Sequence, residues 1–197
     1  MKRLTHEERH RHIVQGAMSA FARSGFRGTR SRDLAAAAGV SEALLFKHFP
    51  TKRAIQEAII AERIRQVGSL VSGELRQEKP ERALEAIASR ILRTPERDPS
   101  FLRLLYFAGL EGEPLAPMFF RRRVARGIEE LAGLVRLWIR RGWVRKTVDP
   151  RAFAWCFTAC AGQLAVMREL FGVRRVSGRR GDPAAVLTDL FLRGVRR

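Results

Sequence analysis

The side chains able to carry catalysis or hold a metal are few in this sequence. Four histidines, His6, His10, His12 and His48, fall near its start, and two cysteines, Cys156 and Cys160, lie four residues apart towards its end. His6, His10 and His12 have a spacing a metal could use, but their polar and charged setting is that of a solvated helix face. Cys156 and Cys160 share one face of a helix without metal-ligand company, and read as buried thiols of a reducing compartment. There is no phosphate-cradling glycine loop, no Cys-x-x-Cys, no His-Glu-x-x-His and no credible catalytic triad, so neither an enzyme nor a cofactor nor a metal is expected. The chemistry that remains is electrostatic. With 38 Lys and Arg against 20 Asp and Glu, the net charge of +18 attracts polyanions: nucleic acid, an anionic membrane surface or an acidic ligand. Residues 1–55 hold 11 Lys and Arg and 4 Asp and Glu, so the surplus is spread along the chain and charge alone does not locate a site.

The elements that must position a site are helices. Apolar residues recur at three- and four-residue spacing almost throughout and period-2 alternation is absent, which predicts an all-α fold of about nine helices. The first starts at a capping box, Thr5 with Glu8, and carries the stripe Ile13, Val14, Ala17, Met18 and Phe21 up to a left-handed stop at Gly25. Three Asp-Pro pairs, at 98–99, 149–150 and 182–183, mark further starts, because Asp accepts free amides and Pro is preset for the first helical turn. The boundaries predict later helices near 51–77, 80–93, 99–110, 114–141, 150–171 and 183–195, with a basic, glycine-containing loop at 172–181 expected to be mobile. Residues 2–12 are too polar for a signal peptide. The longest uncharged stretch, Ala152 to Met167, is too short and too polar to span a bilayer, so no membrane association and a cytoplasmic location are expected.

Two short helices, about 31–38 and 42–48, joined by Gly39, Val40 and Ser41, form the pattern that matters. A glycine turn between short helices sets the second steeply against the first, the geometry of a helix-turn-helix whose second helix enters the major groove of DNA. Leu45 and Phe49 should pack inward against Leu34 and Phe21, leaving Glu42, Ala43, Leu44, Phe46, Lys47 and His48 on outer faces, with Ser41 as the cap. Leu44 suits a thymine methyl and Lys47 a guanine edge or a phosphate. Lys52 and the backbone from Thr29 through Arg30 and Ser31 to Arg32 are placed for phosphates.

Residues 13–59 combine a first-helix Phe and Gly, Thr-Arg-Ser-Arg-Asp-Leu-Ala, Ala-Gly-Val-Ser, Leu-Phe-Lys-His-Phe-Pro and Thr-Lys. In that order they resemble the N-terminal domain of the TetR family of transcriptional regulators. The resemblance implies a three-helix DNA-binding head, a fourth helix linking it to a helical ligand-binding body, and a dimer formed by the last two long helices. The chain departs from the family where Thr and Tyr hydroxyls often contact DNA: it has Leu44 and Phe46 there, and Ala43 in place of the usual Gly or small polar residue. The phosphate contacts then fall to Arg30, Arg32, Lys47, His48 and Lys52.

The expected domains are therefore 1–54, with the helix-turn-helix at about 31–48, and a ligand-binding and dimerisation domain at 55–197. Helix 150–171 is apolar nearly all round and has to be covered on every side, which a second copy can do. Phe153, Phe157, Cys160 and Leu164, with Val186, Leu190 and Phe191 of the last helix, are the expected dimer interface. Phe101, Leu105, Tyr106, Phe119, Trp138 and Trp155 are the expected pocket lining, with Gln163 as a polar fixed point. The function expected is a homodimeric repressor on a palindromic operator, released by a small hydrophobic or amphiphilic effector such as a fatty acid or acyl-CoA. The competing readings are an activator, and a nucleic-acid binder without sequence preference driven by counterion release.

Overall fold

Helix starts are set by side chains that accept the first free amides. The computed structural model describes residues 5–97, 99–173 and 181–195. Helix α1 (His6–Gly28) follows the reciprocal Thr5–Glu8 box, in which the Thr5 hydroxyl accepts from the Glu8 amide at 3.2 Å and the Glu8 carboxylate from the Thr5 amide at 2.8 Å. Helices α2 (Ser31–Ala37), α3 (Glu42–His48) and α4 (Lys52–Val67) follow, then α5 (Pro80–Arg97) and α6 (Pro99–Leu110). Helices α7 (Leu115–Phe119) and α8 (Ala125–Arg140) succeed one another directly through a π turn, Phe120–Val124. Helices α9 (Pro150–Leu170) and α10 (Pro183–Arg193) start as the Asp-Pro pairs predict, with Asp149 accepting from the amides of Arg151 and Ala152 and Asp182 from that of Ala184. With α7 and α8 counted together, the described residues form nine helices and no strand.

Two predicted ends are wrong: the helix expected at 80–93 runs on to Arg97, and the one expected to reach 77 stops short. Helix α4 stops at Val67 instead of running to 77, because Gly68 adopts φ +63° and turns the chain out of the helix. The Ser69–Val71 segment beyond it is strapped to α8. The Glu130 carboxylate accepts from the Ser69 hydroxyl at 2.7 Å and from the Leu70 and Val71 amides at 2.8 and 3.2 Å. Of the basic loop predicted at 172–181, residues 174–180 lie outside the described ones.

The chain divides into two units, Met1–Gln66 with Asp98–Arg121, and Val67–Arg97 with Arg122–Arg197. The first unit buries Ile13, Ala17 and Phe21 of α1 with Leu34 of α2, Leu45 of α3, Ile55 and Ile59 of α4, and Phe101 and Leu104 of α6. The second buries Leu84 and Ile87 of α5, Leu131, Val135 and Trp138 of α8, Phe153 and Phe157 of α9, and Leu187 of α10. No described helix is long and apolar enough to cross a membrane.

Candidate nucleic-acid interface

The α2–α3 corner is built from short-range rules. Helix α2 ends when Gly39 takes φ +58°, and the Val40 amide returns to the Ala35 carbonyl at 3.0 Å, satisfying an orphan carbonyl of the last turn. Ser41 then starts α3, its hydroxyl accepting from the Leu44 amide at 3.2 Å. Gly16 of α1 sets the distance to this corner: a Cβ there would stand 2.7 Å from the Ala37 carbonyl oxygen and 2.8 Å from the Ala38 Cα, so only glycine lets α1 lie so close to the end of α2. Leu45 and Phe49 are buried in the same core as Phe21 and Leu34, as their spacing predicts.

That anchoring turns the other face of α3 outward. Glu42, Ala43, Phe46 and Lys47 are exposed, Phe46 to 40%, while Leu44 is half-buried. Arg30 and Arg32 at the start of α2 are exposed and Ser31 is half-buried. Three of the expected contact residues are turned to other uses. Thr29 is buried to 1% exposure and its hydroxyl donates to the Gly25 carbonyl at 2.6 Å, so that side chain is spent inside the fold. The Lys52 ammonium donates to the Phe26 carbonyl at 3.2 Å and lies 4.7 Å from the centre of the Phe26 ring, closing the end of α1. His48 is not on an outer face: it is half-buried, its Nδ1 has no hydrogen-bond partner, and its ring lies tilted against that of His6 with centroids 4.5 Å apart. Burial pushes the His48 imidazole below its ordinary pKa of 6.5, and the charges of His6, His10, Arg9 and Lys47 act in the same direction. His12 points to solvent away from this pair, and among the described residues no three His, Cys, Asp or Glu side chains gather as metal ligands.

A residue the sequence reading missed holds the far end of α1. Gly25 has φ 68° and ψ 177°, which kinks the helix and frees the amides after it. The carboxylate of Glu111, just beyond α6, accepts from the Phe26 amide at 2.8 Å and the Arg27 amide at 3.3 Å. No local signal marks this role, because the contact joins positions 85 residues apart.

The expected pocket residues are divided between the two units, Phe101, Leu105, Tyr106 and Phe119 in the first and Trp138, Trp155 and Gln163 in the second. Phe101 is buried, with the Arg63 guanidinium 4.6 Å over its ring and Phe119 edge-on at 5.0 Å, and Leu105 is half-buried on the same helix. Tyr106, Trp155 and Gln163 are exposed, and Trp138 is at the centre of the second unit's core with no exposed surface. Composition identified the aromatic residues but not the directions in which their helices turn them. The residues expected at the dimer interface divide between core and surface in the single chain. Phe153 and Phe157 pack inside their own chain, both edge-on to Phe191 at 5.5 and 5.2 Å. Leu164, Val186 and Phe191 are half-buried, and Leu190 is 63% exposed. The face of α9 that remains outward carries Trp155, Cys156, Ala159, Cys160, Gln163 and Met167, so both thiols are exposed in the single chain, not buried.

Residues 13–59 match the model of the bacterial regulatory proteins of the tetR family. The chain is 31% identical over 156 residues to the nucleoid occlusion factor SlmA of Glaesserella parasuis, covering 75% of each chain. The chain belongs to the TetR family. This TetR-family chain is also 29% identical to the HTH-type transcriptional regulator RutR of Escherichia coli, over 71% of this chain and 65% of that protein. Its fold is that of a TetR-like transcriptional regulator from Rhodococcus sp. RHA1, with a TM-score of 0.75, 20% identity and 98% of each chain covered. As a TetR-family member it is a non-enzymatic, DNA-binding transcriptional regulator, and α2 and α3 fall within the matched residues.

Proposed function

We propose that this regulator is a homodimeric repressor that binds a palindromic operator and is released by a small amphiphilic effector. The observation that carries the DNA-binding part is the two-sided α3: Leu45 and Phe49 fix it in the core while Glu42, Ala43, Phe46 and Lys47 stand clear of it. In a major groove, Ala43, Leu44 and Phe46 offer apolar contact to thymine methyls, and Lys47 reaches a guanine edge or a phosphate. Arg30, Arg32 and the amides at Ser31 and Ser41 hold the backbone, and Lys52 keeps donors beyond the one spent on Phe26. On this reading residues 1–54 form the DNA-binding domain and 55–197 the effector and dimerisation domain of a cytoplasmic protein.

The second copy is what covers α9. Its outward stripe, from Ala152 through Trp155, Cys156, Ala159, Cys160 and Gln163 to Met167, carries no charge, and Leu190 of α10 is a large exposed apolar side chain. An exposed uncharged helix face of this length is best matched by its own two-fold copy, which also presents two α3 helices to one duplex. The basic, apolar-rich body suits an acidic amphiphile of the fatty-acid or acyl-CoA kind. Such a ligand releases DNA by favouring a body whose heads are wrongly spaced for adjacent grooves. The test is selection of bound duplexes from random DNA by the full chain, followed by titration at near-physiological salt. The result expected is an inverted repeat bound at least about a thousandfold more tightly than random DNA. A ratio near one overturns the reading in favour of charge-driven, sequence-blind binding.

A further inference from the structure

Arg123, in the π turn that leads into α8, is only 8% exposed, and its Nε has no hydrogen-bond partner. Among the described residues no carboxylate forms a salt bridge with it. The acid nearest in effect, Glu130, is already committed: one oxygen accepts from Ser69, Leu70 and Val71, and the other from the Arg126 Nε at 3.2 Å. Arg90 and Arg126 add positive charge around Arg123. Arg90 is turned to the Ser69 and Leu70 carbonyls. Burial, and then the charges of Arg90 and Arg126, hold the Arg123 pKa below its ordinary value against the opposing pull of Glu130.

The guanidinium also has a seat. A Cβ at Gly127 would stand 3.1 Å from the Arg123 Nη1 and 3.1 Å from the Leu70 Cδ2, so the absence of a side chain at Gly127 lets the planar group lie against α8 beside an apolar wall. A buried, unpaired charge is among the costliest arrangements a fold can keep, and it is retained most economically where something else supplies the counter-charge. A guanidinium offers parallel donors that match a carboxylate or a phosphate.

We infer that Arg123, seated on Gly127 and Leu70, is the anchor for an oxyanionic head group, carboxylate or phosphate, of the effector. This rests on the effector-responsive reading above and gives the effector its charge. The site takes the anion through Arg123, with Arg90 and Arg126 raising the local positive potential and Leu70 beginning an apolar contact.

The test uses the full chain without DNA, so that its outcome is independent of operator recognition. Decanoate, decyl phosphate and decanol, each below its aggregation concentration, are titrated while tryptophan fluorescence and the thermal unfolding midpoint are followed. Decanoate or decyl phosphate should saturate the signal and raise the midpoint, with decanol bound at least about tenfold more weakly. Whichever anion binds more tightly identifies the source of the oxyanion. Arg123→Met should weaken anion binding on the order of 10–100-fold while leaving the response to decanol as it was. It should not lower the ligand-free midpoint, because it removes a buried charge that no salt bridge holds. Should Arg123→Met fail to fold, Arg123→Lys carries the comparison: it keeps the charge, loses the fork and should bind the anion with intermediate strength. No anion response by the natural chain, or equal responses by the natural chain and its Arg123 variants, overturns the inference.

Discussion

Lys47 is an exposed cation on the outer face of α3, in the last turn of a helix fixed from behind by Leu45 and Phe49. Lys47→Ala should therefore weaken operator binding without moving the melting temperature. If the contact is to a phosphate, the loss should be uniform across sequences, with the slope of log affinity against log salt reduced by about one. If the contact is to a base, the loss should fall on one operator position. Gly25 makes the opposite kind of prediction, for stability instead of affinity. Its φ of 68° disfavours any L side chain, and an added Cβ would stand 2.3 Å from a Glu111 carboxylate oxygen. Gly25→Ala should cost more than about 1 kcal/mol in a denaturant titration, and an unchanged midpoint would show that the kink and the Glu111 contact are dispensable.

Between elements, the contact of α1 with α3 is the one that senses pH. His6 and His10 of α1 meet His48 and Phe49 at the end of α3, the His6 ring tilted against His48 and the His10 ring against Phe49, both with centroids 4.5 Å apart. Burial holds both His10 and His48 below their ordinary pKa of 6.5; His6 and Arg65 add to this at His10, where Glu62 and Glu7 oppose it. The folded head thus binds fewer protons than the unfolded chain just below that pH. The stabilisation is complete above the unfolded value and is lost as pH falls from there towards the folded value. The thermal midpoint should drop between about pH 7 and about pH 5, and His48→Gln should flatten the drop. A slope unchanged in His48→Gln would assign the pH dependence to other groups. In the second unit, burial alone would raise the Glu130 carboxyl, but the Ser69 hydroxyl, the Val71 and Leu70 amides and the Arg123 charge hold it below the usual range. The strap that follows α4 therefore stays fastened well into mild acid.

At the scale of the whole molecule, the proposed two-fold pairing rests on a surface the single chain leaves open. Placing a charge at the middle of the uncharged α9 stripe, as in Ala159→Arg, should yield monomers by sedimentation with helical content unchanged. Operator affinity should fall towards that for random DNA, since one head without its twin reads half a site. A dimer surviving Ala159→Arg would place the two-fold contact elsewhere.

Periodicity, caps and turn glycines were enough to read an all-helical chain, the α2–α3 corner and its buried Leu45 and Phe49, because these follow from contacts within a few residues. The order of motifs through residues 13–59 was enough to assign the family. Tertiary structure alone decided which way the remaining side chains turned. It spent the Thr29 hydroxyl and one Lys52 donor inside the fold, sank Trp138, Phe153 and Phe157 into the core, and left Trp155, Cys156 and Cys160 outside it. It also ended α4 at Gly68, brought Glu111 to the kink of α1 and buried Arg123 with its Nε unbonded. These outcomes depend on which helix faces meet across long sequence separations, and a one-dimensional pattern records that a residue is apolar or charged but not what stands opposite it.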